Sequence, residues 1–548
     1  MKRDVTLFGR AITLILLAGQ FGCASQPPPR SSELRGSDNV ALAAARAQRA
    51  DHRLPDDLAA RRWLDCAALA YANAEKGPAQ QRDAARREVT VCTRGLLAHL
   101  LSGRSDGWRA TTVHVAGKSL RVDMRNLSVD LTGPMQLRLS DTVRVPASAG
   151  AHFVTPGFGV PLVARTDRCS DQPRCKLLPA EGVYRALTAW VEWREGQVPR
   201  LVLADPQRQP TIQLAGESYP LTLDLSAPYA SLIASTRLQR LAVWDLLGGR
   251  RLRARQGVFL LQDYDPEKAI IVMIHGLGGS PLIWTRLTNR LLATPELRKR
   301  YQIWHVVYET NAPLLVDRRR VRELLDRALA QLDPQGKQRS RRDMVLIGHS
   351  LGGVIARLLV ANSGDVVWKA VSTLPLQRVQ GTPADLAMMD KVFHFTADPG
   401  VGKAIFLAAP HHGSPLTGHF IGRLAMRIVR PEDPELKALR RVIKANRSDI
   451  RPALLKAYGL HGLSSISTLS SGQPVSRVGA GLLPAAGTRY YTIAGNLPGE
   501  DPPGDGVVPL ASALLPGAQS TTVLQSGHKI YANDQAISAI VDILRREP

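Results

Sequence analysis

Metal-binding cysteine patterns are missing from this chain. It holds five Cys and 13 His in 548 residues. None of them stands in a CxxC or Cys/His spacing of the kind that holds zinc, so no metal is expected. Long apolar runs are missing near the N-terminus as well. Ala11–Gly19 falls short of the roughly 20 residues a membrane-spanning helix needs. Aromatic residues make up only 5% of the chain. Acidic residues are scarce: 47 Asp and Glu face 71 Lys and Arg, a formal net charge of +24. Such an excess invites a nucleic-acid reading, but no recognition motif accompanies it and nucleic acid is not expected as a partner. The 44% hydrophobic content is ordinary, which excludes wholesale disorder and fibrous repeats. The length predicts about three domains.

What is present at the start reads as a secretion signal: a basic segment to Arg10, the apolar run, then the small-residue exit Gln20–Ser25. Gly22-Cys23-Ala24 resembles the end of a bacterial lipoprotein signal, with Gln20 where Leu is usual. Residues 1–22 are therefore expected to be a signal peptide, Cys23 the lipidated residue and the Pro-rich stretch 23–37 a tether. The expected location is the bacterial cell envelope, as an outer-membrane lipoprotein. The alternative is simple secretion with cleavage near Ala24. With Cys23 set aside, four Cys remain for an oxidising compartment. Cys66 and Cys92 lie on two helical stripes at similar distances from the turn Lys76-Gly77-Pro78, which predicts a Cys66–Cys92 disulfide. A Cys169–Cys175 disulfide would close a small loop.

Residues 38–105 are Ala/Arg/Leu-rich with helical periodicity and predict a helical hairpin. Residues 106–250 change to short alternating runs, among them Thr111–Val115, Leu120–Asp123, Gln136–Val145, Val183–Trp193 and Tyr219–Leu225. They read as a β-rich domain with no chemical constellation, whose protein partner is unknown. From 251 to 548, near-continuous apolar runs alternate with amphipathic helices. The runs are Val258–Gln262, Ile270–Ile274, Tyr301–Tyr308, Met344–Gly348, Ala404–Ala408, Arg489–Ala494 and Thr521–Leu524. This rhythm predicts an α/β fold: a mostly parallel sheet covered on both faces, with its ligands at the C-terminal strand ends.

Gly348-His349-Ser350-Leu351-Gly352 joins an apolar strand to an Ala/Leu/Val helix. A serine on that sharp turn is pushed into the open, and Gly348 and Gly352 leave room for strained backbone and substrate. About 75 residues earlier, His275-Gly276-Leu277-Gly278-Gly279 ends another apolar strand. The backbone N–H groups of Leu277 and Leu351 are the expected pair facing a developing oxyanion. The order Ser, then acid, then His points to Asp505 in Gly504-Asp505-Gly506-Val507-Val508-Pro509, with Asp501 and Glu500 as rivals. It points to His528, the last His in the chain, as the base.

These motifs, with Pro410-His411-His412-Gly413-Ser414, resemble the α/β-hydrolase superfamily and its bacterial lipases and esterases over about residues 256–548. The resemblance implies Ser350 as nucleophile, Asp505 as acid and His528 as base, with no organic cofactor. The mechanism that such a triad performs predicts an ester substrate, and an apolar lid at a membrane would make it an acyl ester or lipid. Insertions at about 362–402 and 411–486 read as a cap. Ile405–Ala409 and Leu416–Val429, with Phe420, Leu424 and Ile428 at helical spacing, read either as apolar lid segments or as ordinary packing onto the hydrolase core. Lipase, phospholipase, esterase, thioesterase and acyltransferase all fit one triad. A different class also stands: a membrane-tethered binding or assembly protein with a weakly active or inactive hydrolase domain. The clusters Arg298–Arg300 and Arg339–Arg342 precede strands and are expected at the edge opposite the active site. Most of the basic excess reads as solvated surface attracted to anionic lipid head groups. Arg318–Arg320 starts a helix and is placed nearer the site.

Overall fold

A computed structural model of the chain describes residues 43–48, 56–102, 106–236, 255–310, 312–413, 433–459 and 474–546. The expected signal, Cys23, the tether and Leu416–Val429 lie outside these residues.

Helices α1 (Asp56–Lys76) and α2 (Ala79–Ser102) turn at Gly77-Pro78, where the Gly77 N–H donates to Asn73 O. Proline suits a helix start because its missing N–H would be unpaired there anyway. The helices pack so closely that a Cβ on Gly95 would overlap the Trp63 ring. Cys66 is bonded to Cys92 across this interface, with Cα atoms 5.8 Å apart, and Cys169 is bonded to Cys175.

Six strands follow in one sheet: β1 (Thr111–Val115), β2 (Lys118–Arg125), β3 (Gln136–Leu139), β4 (Val160–Thr166), β5 (Val183–Glu192) and β6 (Arg200–Ala204). Their order is β1-β2-β6-β5-β4-β3. Ala116 and Gly117, both at positive φ, make the two-residue turn between β1 and β2. The run read as Gln136–Val145 stops at Leu139. There Ser140–Thr142 forms a 3-10 turn and Thr142 Oγ1 donates to Leu139 O, drawing the backbone out of the ladder. The run Tyr219–Leu225 is split at Pro220, which has no N–H to donate. Leu96, Leu120, Leu162, Leu187 and Leu201 share a core between this sheet and the helical hairpin. Helix α3 (Ser226–Ser235) packs Ala227 and Ala230 against Val163.

A second sheet contains β7 (Gly257–Leu260), β8 (Ala269–Ile274), β9 (Tyr301–Val307), β10 (Met344–His349), β11 (Val401–Leu407), β12 (Arg489–Gly495) and β13 (Ser520–Leu524). The order is β7-β9-β8-β10-β11-β12-β13, with β7 antiparallel and every other pairing parallel. Alternate residues serve opposite faces. Ile270, Val272 and Ile274 join one core, and Ile271 and Met273 the other. The first core is closed by α5 (Leu314–Leu332) and α6 (Leu351–Leu359), the second by α4 (Thr285–Ala293) and α9 (Asp534–Arg545). Two more helices, α7 (Pro383–Phe393) and α8 (Pro434–Ala445), extend the first core through Met389 and Leu436. Ile405–Ala409, expected in a lid, instead form the end of β11 and its exit, and are buried. A strand flanked by two parallel neighbours must be apolar on both faces, and that is why the segment looked lid-like.

The two sheets are joined by ions. Arg185 of β5, 5% exposed, donates to Asp130 and to Asp263 beyond β7, and also to Leu261 O. Asn289 of α4 donates to the carbonyls of Ala149 and Ala151.

Candidate active site

Ser350 stands between β10 and α6 at φ 55° and ψ −124°. A non-glycine residue is strained at positive φ, and such strain persists only where the surroundings enforce it. Here Ser350 N–H donates to Leu407 O, and the Gly353 and Val354 N–H groups donate to Ser350 O. Gly352 is required by packing: a Cβ there would collide with the carbonyl oxygens of Ile274 and His275. Gly348 faces the same crowding from the Gly352 backbone.

His528 follows β13, and its Nε2 lies 3.0 Å from Ser350 Oγ. Its Nδ1 lies 2.8 Å from Asp505 Oδ2. Asp505 offers only acceptors when ionised, so Nδ1–H donates to it and Nε2 is left to accept from the serine hydroxyl. Asp505 is 3% exposed, and its other oxygen accepts the N–H groups of Val507 and Val508 at 2.9 and 2.7 Å. The His528 N–H also donates to Asp505 O. The rivals Asp501 and Glu500 take no part in this chain of hydrogen bonds.

The loop after β8 lies against the nucleophile. A Cβ on Gly276 would stand 2.9 Å from Ser350 Cβ and 3.1 Å from His349 O, so only glycine lets this backbone approach. Among the described residues, no partner accepts from the N–H of Leu277 or of Leu351. Leu351 opens α6, where the first amides have no intrahelical acceptor. The neighbouring amides are engaged: Gly278 N–H donates to Thr310 Oγ1, and Gly279 N–H to Gly276 O.

Residues 271–543 match the model of the Alpha/beta hydrolase family. The C-terminal part of the chain is an α/β-hydrolase domain. Among solved structures, the chain is similar to the mature form of Bacillus licheniformis lipase BlEst2. The identity is 18% and the TM-score 0.28, over 51% of this chain and 93% of that one. It is also similar to the metagenomic carboxyl esterase MGS0156, with 14% identity and TM-score 0.29 over 51% and 76% of the two chains. A third likeness is EstA from Clostridium botulinum, with 12% identity and TM-score 0.31 over 50% and 86%. No curated protein matches the chain.

Several supports of the hydrolase site were not singled out in the sequence. His349 Nε2–H donates to His528 O at 2.8 Å, and its ring packs on those of His528 and Tyr531. Tyr308 O–H donates to His275 O and stacks on the His275 ring. A Cβ on Gly495 would come 2.9 Å from Asp505 Cβ, so that glycine admits the acid loop beside β12. The only sequence signal for these residues was their position at strand ends. Burial, and then the neighbouring His528, push the His349 pKa down to about 3. Burial pushes His275 down to about 4 and His411 well below the ordinary range. All three rings are neutral at pH 7. His411 packs edge-on against Phe406, and Ser512 Oγ accepts the His412 N–H and donates to Gly413 O.

The Arg318–Arg320 cluster is not a solvated surface. Arg319 and Arg320 of α5 are largely buried and both pair with Glu435, and Arg320 also pairs with Asp433 at 3.2 Å. Burial alone would raise the Glu435 pKa, but the Arg320 hydrogen bonds and charge outweigh it and hold the carboxyl at about 2. Arg318 lies over the Phe395 ring at 4.1 Å. Among the described residues, no helix is long and apolar enough to cross a membrane.

Proposed function

We propose that this protein is a serine hydrolase of carboxylic esters, acting on acyl-lipid esters at the cell envelope through Ser350, His528 and Asp505. The observation that carries the reading is the unbroken run of hydrogen bonds Asp505–His528–Ser350 beside two free amides. Ser350 attacks the ester carbonyl while His528 Nε2 takes its proton. Asp505 fixes the tautomer and stabilises the imidazolium. The N–H groups of Leu277 and Leu351 hold the tetrahedral oxyanion, helped by the positive end of α6. His528 then returns its proton to the leaving alkoxide, leaving an acyl-enzyme, and activates the water that releases the acid. None of these steps draws on a metal or organic cofactor.

Labelling with a fluorophosphonate and turnover of a short-chain aryl ester test this. Ser350→Ala is expected to abolish labelling and to lower turnover by about 10⁴-fold. Turnover within about tenfold of wild type overturns the assignment. Assays of acyl-thioesters and of acyl transfer to alcohols separate the thioesterase and acyltransferase readings. Failure of the wild type to label favours the tethered binding or assembly protein. Lipidation at Cys23 supplies the membrane contact in this reading. Cys23→Ser is expected to move the protein from the membrane fraction to the soluble one.

A further inference from the structure

The loops feeding the N-terminal ends of the second sheet enclose a cavity of about 180 Å³. Six cations line it: Lys299 and Arg300 before β9, Arg339 and Arg342 before β10, Lys403 in β11 and Arg489 at the start of β12. Two carboxylates, Glu267 and Asp343, stand among them. The cations are graded in depth. Lys299, Arg339 and Arg342 are exposed at the mouth, Arg300 and Arg489 are half-buried, and Lys403 is 3% exposed. Among the described residues, Lys299, Arg339 and Arg342 form no ion pair. Arg300 donates to Arg545 O and Tyr301 Oη, and Lys403 Nζ donates to Arg546 O at 2.8 Å. Burial, then the charges of Arg489 and Arg300, push the Lys403 pKa down to about 8.

Packing accounts for only part of this arrangement, since Arg300 and Lys403 hold the carbonyls at the end of α9. The buried arginines Arg319 and Arg320 each have a carboxylate. Here six like charges, drawn from four separate segments, share one hollow with two acids. A multiply charged anion would relieve their repulsion. A single carboxylate would leave most of the charge uncompensated. Phosphate oxygens suit the planar fork of arginine and the point charge of lysine together.

We propose that this cavity is a binding site for a phosphate group, carried either by a soluble phosphate compound or by a phospholipid head group. It is separate from the hydrolase site. Asp343 and Ser350 bracket β10, an extended path of roughly 20 Å. A ligand in the cavity is therefore not the ester under attack.

Titration of the full chain with inorganic pyrophosphate at low salt tests the site. One saturable site with a Kd below about 1 mM is expected. The double variant Arg339→Gln/Arg342→Gln should weaken it by about tenfold or more. Arg121→Gln, an exposed cation on the first sheet, should leave it unchanged. The replaced side chains are exposed, so the unliganded variants should melt like wild type, and pyrophosphate should raise the wild-type melting temperature more. Sedimentation with phosphatidylcholine vesicles, with and without phosphatidylglycerol, identifies the source. Phosphatidylglycerol-dependent binding that is lost in the double variant and displaced by pyrophosphate assigns the head group. Pyrophosphate binding without such vesicle binding assigns a soluble phosphate compound. If neither probe distinguishes the double variant from wild type, the cavity is no site and the proposal fails.

Discussion

At the C-terminal end of the second sheet, Ser350 sits among neutral imidazoles and backbone amides. The buried carboxylate beside His528, Asp505, is spent on that imidazole and two N–H groups. At the other end, six cations crowd a hollow with two acids. The difference shows how a parallel sheet divides labour. Strands end and helices begin at the same edge, so loops and the positive helix termini converge where the chemistry is. In the proposed mechanism, oriented N–H groups stabilise charge there without a side-chain cation. The net charge of +24 thus says little about the reaction, and the six cations gathered at the other end lie a strand length away.

The contrast breaks if the acid at the reactive end is dispensable. Asp505→Asn should lower kcat by about 10⁴-fold, because the His528 tautomer is no longer enforced. Pyrophosphate binding, measured in the same sample, should not change. A smaller effect comes from shape alone. Gly276→Ala puts a methyl 2.9 Å from Ser350 Cβ. It should cost about 10²-fold in kcat through displaced backbone, with little effect on binding at the basic end. The pH dependence of kcat/KM sharpens the contrast further. His349, held at about 3, and His275, at about 4, stay neutral over the working range, so the acid limb should show a single protonation. A limb that falls with the second power of proton concentration would place another charged imidazole in the site.

The smallest effect is at the basic end. Lys403 titrates near 8 in the folded chain against 10.5 in the unfolded one. The unfolded state therefore binds more protons in that window, and wild-type stability should rise from about pH 8 to 10.5. Lys403→Met should flatten the rise and stabilise the protein at pH 7 by on the order of 1 kcal/mol. Denaturant melts at several pH values check both.

Much of the hydrolase domain could be read from local pattern. The five inner strands, β8 to β12, were visible as apolar runs because a strand covered on both faces must be apolar throughout, whereas the edge strands β7 and β13 alternate between covered and open positions. Ser350 directly follows an apolar run, Asp505 and His528 stand in the loops after β12 and β13, and hydrogen bonds join the three residues. Apolarity alone does not separate a lid from a central strand, so one stretch was read both as the strand Ala404–Ala408 and, over Ile405–Ala409, as part of a lid; it belongs to β11 and its exit. Leu416–Val429 lies outside the described residues. In the β-rich region, Ser140–Thr142 ends a strand of the first sheet and Pro220 ends one of a separate two-stranded sheet, through hydrogen-bond chemistry that periodicity does not register.

In the hydrolase domain the sequence alone located the strands and the turn that carries the serine, pointed to His528, and narrowed the acid to Asp505 with Asp501 and Glu500 as rivals. Local sterics and alternation set these, and both act within a few residues. Tertiary structure decided what meets across the sheet. The spatial order β9-β8-β10 differs from chain order. That order lays Gly276 on Ser350, puts Tyr308 under His275 and ties His349 to the backbone of His528. It also buries Arg319 and Arg320 against Glu435 and draws Lys299, Arg342, Lys403 and Arg489 into one cavity. Charges distant in sequence carry no local sign of whether they will end paired, solvated or gathered around one hollow, because only the packing of strands brings them within reach of one another.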